Sequence, residues 1–166
     1  MLVNIVEASH RWEKSRWPNF SVGEMSCPCC GEVWWAPSEF DRIQLLRTNL
    51  QRPVALNSTH RCRRHNALVG GAPLSEHKKI AFDFSLSRGR NIRKDMEALS
   101  VLQSHMLRVG FGSFGLYGTF IHCDSRVGRF WVTPAGKNWS QYFRRVSSLS
   151  IGERPSEAAS KQETKK

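Results

Sequence analysis

The chain has 166 residues, of which 40% are hydrophobic and 10% aromatic, with 25 Lys and Arg against 14 Asp and Glu. That length suits one domain plus a tail, and the apolar content is enough for a continuous core without staples, which excludes a disordered chain. The formal charge of +11 and sequence pI of about 10.0 favour polyanionic surroundings such as nucleic acid, anionic lipid or the acidic polymers of bacterial envelopes, while no run of ~18 apolar residues offers a membrane span.

The start, MLVNIVEASHRWEKSRW, lacks the basic and apolar regions of a secretory signal, so synthesis in the cytoplasm without a signal peptide is expected. Five cysteines (Cys27, Cys29, Cys30, Cys62 and Cys123) are odd in number and irregular in spacing. At least one thiol is therefore expected to be free, with a bridge between Cys62 and the early cluster left open. The segment APSEFDRIQLLRTNLQRP predicts a helix over 38–50, with Ser38 as N-cap, Phe40, Ile43 and Leu45 or Leu46 as its apolar stripe, and Pro53 as a stop. Residues 53–57 read as a short buried strand, and STHRCRRHN after them as a polar turn. Gly70-Gly71-Ala72-Pro73 punctuates the backbone.

KIAFDF at 79–84 is a second strand, interrupted by Asp83. Asn91 opens a periodic helix carrying Ile92, Met96, Leu99, Leu102 and Met106, which Gly110 ends. Beyond a glycine-rich stretch (Gly110, Gly112, Gly115, Gly118), FIHCD at 120–124 and RFWVT at 129–133 predict two strands joined by a short turn. Residues 152–166 have no apolar periodicity and read as a disordered polar tail, leaving a domain over 1–151. The order of elements predicts a small α+β domain, a mainly antiparallel sheet packed with helices. Trp34, Trp35 and Trp131 flank predicted elements and are assigned to the core, and Trp12, Trp17 and Trp139 to a possible substrate groove.

Polar residues that interrupt apolar strands are costly unless paired or ligated. His77, Asp83 and His122 stand out. Two imidazoles and a carboxylate make a three-ligand set that leaves one zinc position open for water, as catalytic zinc sites do.

The stretch from Ser58 to Asp83, STHRCRRHNALVGGAPLSEHKKIAFD, together with FIHCD preceded by GFGSFGLY, resembles the zinc D-alanyl-D-alanine carboxypeptidase family, and the resemblance covers a core at 20–133. That family includes vancomycin-resistance D,D-dipeptidases and bacteriophage endolysins. The resemblance implies Zn2+ held by His77, Asp83 and His122 on the sheet. It places Ser75 beside bound peptide and has Arg61 engage the substrate or steady the site. It also implies a peptidoglycan stem-peptide substrate, cut by a D,D-carboxypeptidase or endopeptidase activity. A monomer is expected, without nucleic-acid or membrane partners, acting at the bacterial wall as a phage lysis or virion protein.

Two departures stand against the family pattern. His77 and Asp83 are one residue closer than usual and lack the intervening glycine, so a bend near Lys78 or Lys79 is expected. The glutamate that endolysin-like members carry three residues before the last ligand is Thr119 here. Asp124, two residues beyond His122 and on the same strand face, is read as either the general base or the hydrogen-bond partner of His122. Cys27-Pro28-Cys29-Cys30 is either a buried packing cluster or, with Cys62, a four-thiol metal site. A catalytically silent domain of the same fold and a basic nucleic-acid-binding zinc protein are the competing functions.

Overall fold

Capping chemistry sets the early helix boundaries. The computed structural model describes residues 1–51, 53–85 and 101–142. Asn4 Oδ1 accepts from the Glu7 N–H at 2.9 Å and opens α1 (Ile5–Arg11). Ser21 and Glu24 form a reciprocal capping box around α2 (Val22–Met25). In α3 (Pro37–Leu50) the N-cap is Ala36 rather than Ser38 and makes no side-chain bond. Pro37 at the first helical position, whose missing N–H costs nothing there, fixes the start instead. Gln51, at φ 53°, ends the helix in the left-handed region. Phe40, Ile43 and Leu46 are fully buried and Leu45 is 50% exposed, so Leu46 completes the stripe.

Two short strands, β1 (Leu2–Val3) and β2 (Val33–Trp34), pair antiparallel. The main sheet contains β3 (Ala55–Ser58), β4 (Phe82–Ser85), β5 (Ser113–Leu116), β6 (Ile121–Asp124) and β7 (Arg129–Val132), in the order β3-β4-β6-β5-β7. Every pairing is antiparallel except β5 with β7, so the expected α+β class with a mainly antiparallel sheet holds.

Three local expectations are corrected. The strand expected at 53–57 is β3, an edge strand with Ala55 and Asn57 exposed. The supposed turn after it contains α4 (Arg63–Leu68), capped by the Cys62 sulfur. The strands β6 and β7 are not a hairpin, because the glycine-rich segment supplies β5 between them. The connection steps over the start of β5 at Gly112, where an added Cβ would stand 2.6 Å from the Arg126 carbonyl oxygen. Only glycine lets the two backbones pass so closely.

Alternation along the strands sorts the two faces of the sheet. Phe82, Phe84, Phe114, Leu116, Ile121 and Cys123 join Phe40, Ile43 and Leu46 of α3 in one core cluster. The helical segment 101–108 adds Leu102 and Met106 to it. The first half of that expected helix, with Ile92, Met96 and Leu99, lies outside the described residues, as does the tail at 152–166. Trp12 and Trp17 are not groove residues: with Trp35 and Phe40 they form an aromatic cluster, the Trp12–Trp17 centroids 4.7 Å apart. The buried Trp17 indole donates to Asp41 Oδ1 at 2.9 Å, which satisfies its one polar atom. Among the described residues no helix is long and apolar enough to cross a membrane.

Candidate metal centre

The face of the sheet opposite the core carries one row of directly paired residues, Ser58–Asp83–His122–Gly115–Trp131, one from each strand. Residues in register on one face stand close enough for their side chains to meet. His77 reaches the row from outside the sheet. It lies in a 3-10 turn at Glu76–Lys78, and Lys79 (φ −112°, ψ −100°) makes the bend that the shortened spacing required.

Three atoms converge. His77 Nε2 is 3.0 Å from Asp83 Oδ1 and 3.0 Å from His122 Nδ1, which is itself 2.9 Å from Asp83 Oδ1. The partners on the far side of each ring fix the tautomers. His77 Nδ1 lies 2.5 Å from the Thr59 carbonyl oxygen, an acceptor only, so that nitrogen carries its proton. His122 Nε2 lies 3.1 Å from Asp124 Oδ2 and donates to it. The three inward atoms therefore all present lone pairs, in residues no more than 5% exposed. Lone pairs so arranged repel unless a proton or a cation lies between them. Tetrahedral zinc with bonds of ~2.0–2.1 Å needs donors ~3.3 Å apart, a small expansion of what is present, so the donor set fits a zinc ion.

The electrostatics agree. Burial alone would raise the Asp83 carboxyl, but His122 and His77, when a proton rather than a metal lies between them and the carboxylate, hold it well below the usual carboxylate range. Burial would likewise lower His122, yet Asp124 and Asp83 raise it above the ordinary imidazole value. Asp124 is kept ionised by Arg126 and His122 against the opposing effect of burial. Its oxygens are fully engaged: Oδ1 accepts from the Arg126 N–H and Nε at 2.9 Å each, and Oδ2 accepts from Arg126 at 2.7 Å as well as from His122.

Arg61 donates to Asp83 Oδ2, and its Nε donates to Ser58 Oγ at 2.6 Å. Its guanidinium therefore grips the carboxylate oxygen that faces away from the imidazoles. Ser75 caps the 3-10 turn, its hydroxyl accepting from the His77 N–H at 3.3 Å. Both residues line a groove of about 1020 Å³ that contains the three converging side chains.

The sequence reading missed several residues of this groove. Trp131, assigned to the core, stands in it with its ring centroid 5.1 Å from that of His122. Its indole lies over Gly115, where a Cβ would come within 2.3 Å. Only the cross-strand register places Trp131 there, and the hairpin expectation concealed it. Glu76 and Arg126 also line the groove and pair at 3.3 Å. The adjacency of Glu76 to His77 was a signal available in the sequence.

A family model described as Peptidase M15 matches residues 16–124, more than half of the chain. No curated protein and no solved structure matches it.

Proposed function

The chain belongs to the peptidase M15 family, and from that premise we propose a zinc-dependent peptidase that cuts peptidoglycan stem peptides, its metal held by His77, Asp83 and His122. The observation that carries this reading is the convergence of three lone-pair atoms, 2.9–3.0 Å apart, in a groove of about 1020 Å³. Bound there, a zinc ion would supply Lewis-acid polarisation of the scissile carbonyl.

The remaining work falls to the chain's own residues. The Thr59 carbonyl and Asp124 hold the two imidazoles in the ligating tautomer. Arg61 positions Asp83 and offsets its charge. Asp124 acts through His122, because none of its oxygens is free to take a proton. We assign proton transfer to Glu76, which lines the groove beside His77 and is held there by its pair with Arg126. Arg129, with Lys78 and Lys79, gives the groove a positive rim suited to the carboxylates of a stem peptide, and Ser75 and Trp131 border the peptide. The net charge of +11 would hold the protein on an anionic wall, in keeping with a phage lysis or virion setting.

A second reading, a silent domain of the same fold, is favoured by Thr119 and by the saturated Asp124. Incubating purified peptidoglycan with the protein, with and without a chelator, separates the two. Chelator-sensitive release is expected, as free D-alanine from a carboxypeptidase or as new internal amino groups from an endopeptidase. No chelator-sensitive release of either would remove the peptidase reading.

A further inference from the structure

The turn that follows α2 brings a second set of donors together, away from the groove. Cys27 accepts at its carbonyl from the Gly31 N–H at 2.8 Å, and its own N–H donates to the Glu32 carbonyl at 2.8 Å. Gly31, at φ 73°, closes this tight loop in a conformation that favours glycine. The loop turns the thiols of the segment Cys27-Pro28-Cys29-Cys30 toward Cys62 at the start of α4. The sulfurs of Cys27, Cys30 and Cys62 lie within 4.8 Å of one another. Cys29 lies in the same loop and is exposed, so its thiol is the one available to complete a set of four.

We propose that Cys27, Cys29, Cys30 and Cys62 form a second metal site, a tetrathiolate zinc centre that pins the N-terminal segment to α4. Three observations carry it. Three of the sulfurs lie within 4.8 Å of one another, a modest contraction away from the ~3.8 Å separation that four thiolates adopt around zinc at ~2.3 Å. Backbone donors already point at the sulfurs: the Cys62 N–H donates to Cys27 Sγ and the His65 N–H to Cys62 Sγ, both at 3.3 Å, and such bonds stabilise thiolate charge. Arg64 supplies positive charge toward Cys29. Cys29 and Cys30 are exposed, which leaves a path for metal entry, while Cys27 is buried.

Proton release would accompany metal binding, each thiol giving up its proton to solvent as its sulfur binds.

The test uses zinc analysis and cobalt substitution of the full chain. About two zinc ions per chain are expected, one at each site. The His77→Ala/His122→Ala variant should keep one, and its cobalt form should show the thiolate-to-cobalt charge-transfer band of a tetrahedral thiolate site. Adding Cys30→Ser and Cys62→Ser to it should abolish both the bound metal and the chelator-dependent drop in Tm. If the histidine variant fails to fold, Cys30→Ser alone should lower zinc from two ions to one. Zinc that vanishes with the histidines, a cobalt spectrum without the thiolate band, or a mass deficit showing disulfides among these cysteines would each overturn the proposal.

Discussion

Gly115→Ala would test whether Trp131 is held against the sheet as described. An alanine Cβ would stand 2.3 Å from Cε2 and Cζ2 of the Trp131 indole and 2.6 Å from its Nε1. Ordinary contact begins near ~3.4 Å, so the ring must retreat by roughly 1.1 Å, an overpacking of the kind that costs ~1–3 kcal/mol. The sign is informative, because replacing a strand glycine by alanine where nothing clashes gains ~0.5–1 kcal/mol. At ~2–4 °C per kcal/mol for a chain of this size, Tm should fall by about 2–12 °C. The displaced indole moves into the groove beside His122, so KM for a peptide substrate should rise as well. Thermal unfolding of Gly115→Ala, Trp131→Ala and the double variant provides the assay. In the double variant the clash has no partner, so it should be more stable than Trp131→Ala by the ~0.5–1 kcal/mol of the strand gain, a coupling of ~1.5–4 kcal/mol. Strictly additive effects, or a Gly115→Ala chain as stable as the parent, would refute the reasoning.

Arg61→Ala leaves the outer oxygen of the buried Asp83 carboxylate without its guanidinium partner, the two side chains being 15% and 5% exposed. Urea unfolding of the chelated protein should show a loss of about 3 kcal/mol, and a loss below ~1 kcal/mol would mean that solvent replaces the pairing. Glu76→Gln should lower kcat by ~10²–10⁴-fold with zinc content unchanged; full activity would take proton transfer away from this residue. Asp124→Ala should weaken zinc binding ~10–100-fold, and an unaltered affinity measured against a competing chelator would contradict its role behind His122. Zinc should also leave as pH falls through the raised His122 pKa, beginning above ~6.5, because protonation fills the Nδ1 lone pair. The sign reverses in the metal-free protein: there the charged His122 adds stability below ~6.5, and that contribution is lost as pH rises through its folded value. Zinc occupancy that stays flat from about pH 8 to pH 5 would exclude His122 as a ligand.

The residues that interrupt apolar runs were the most legible part of the site. Asp83 and His122 stand out within KIAFDF and FIHCD because an unpaired polar group in such a run is expensive, and the sheet sets them directly opposite each other. The bend between His77 and Asp83 followed from counting residues. What could not be read was register. Trp131 and Val132 look alike as strand hydrophobes, and only the parallel pairing of β7 with β5, across Gly115, turns Trp131 toward His122. The glycines at 112 and 115 concealed β5 by removing the β-branched pattern expected of a strand, although close backbone and ring approaches are why they are there. The Cys62 cap hid α4 in the same way, because a sulfur acceptor at an N-cap has no common sequence signal.

The cross-strand row also makes the histidine site a gauge of completeness. Asp83, His122, Gly115 and Trp131 come from four different strands, and His122 is 45 residues from His77. No fragment of the chain holds the donors in place, and a one-residue slip of β4 or β6 would carry a carboxylate or an imidazole into the core. An ion bound there would therefore be acquired only as the last act of assembly. A four-residue turn and one helix cap would suffice for the thiols, so the two sites would fill at opposite ends of the folding reaction.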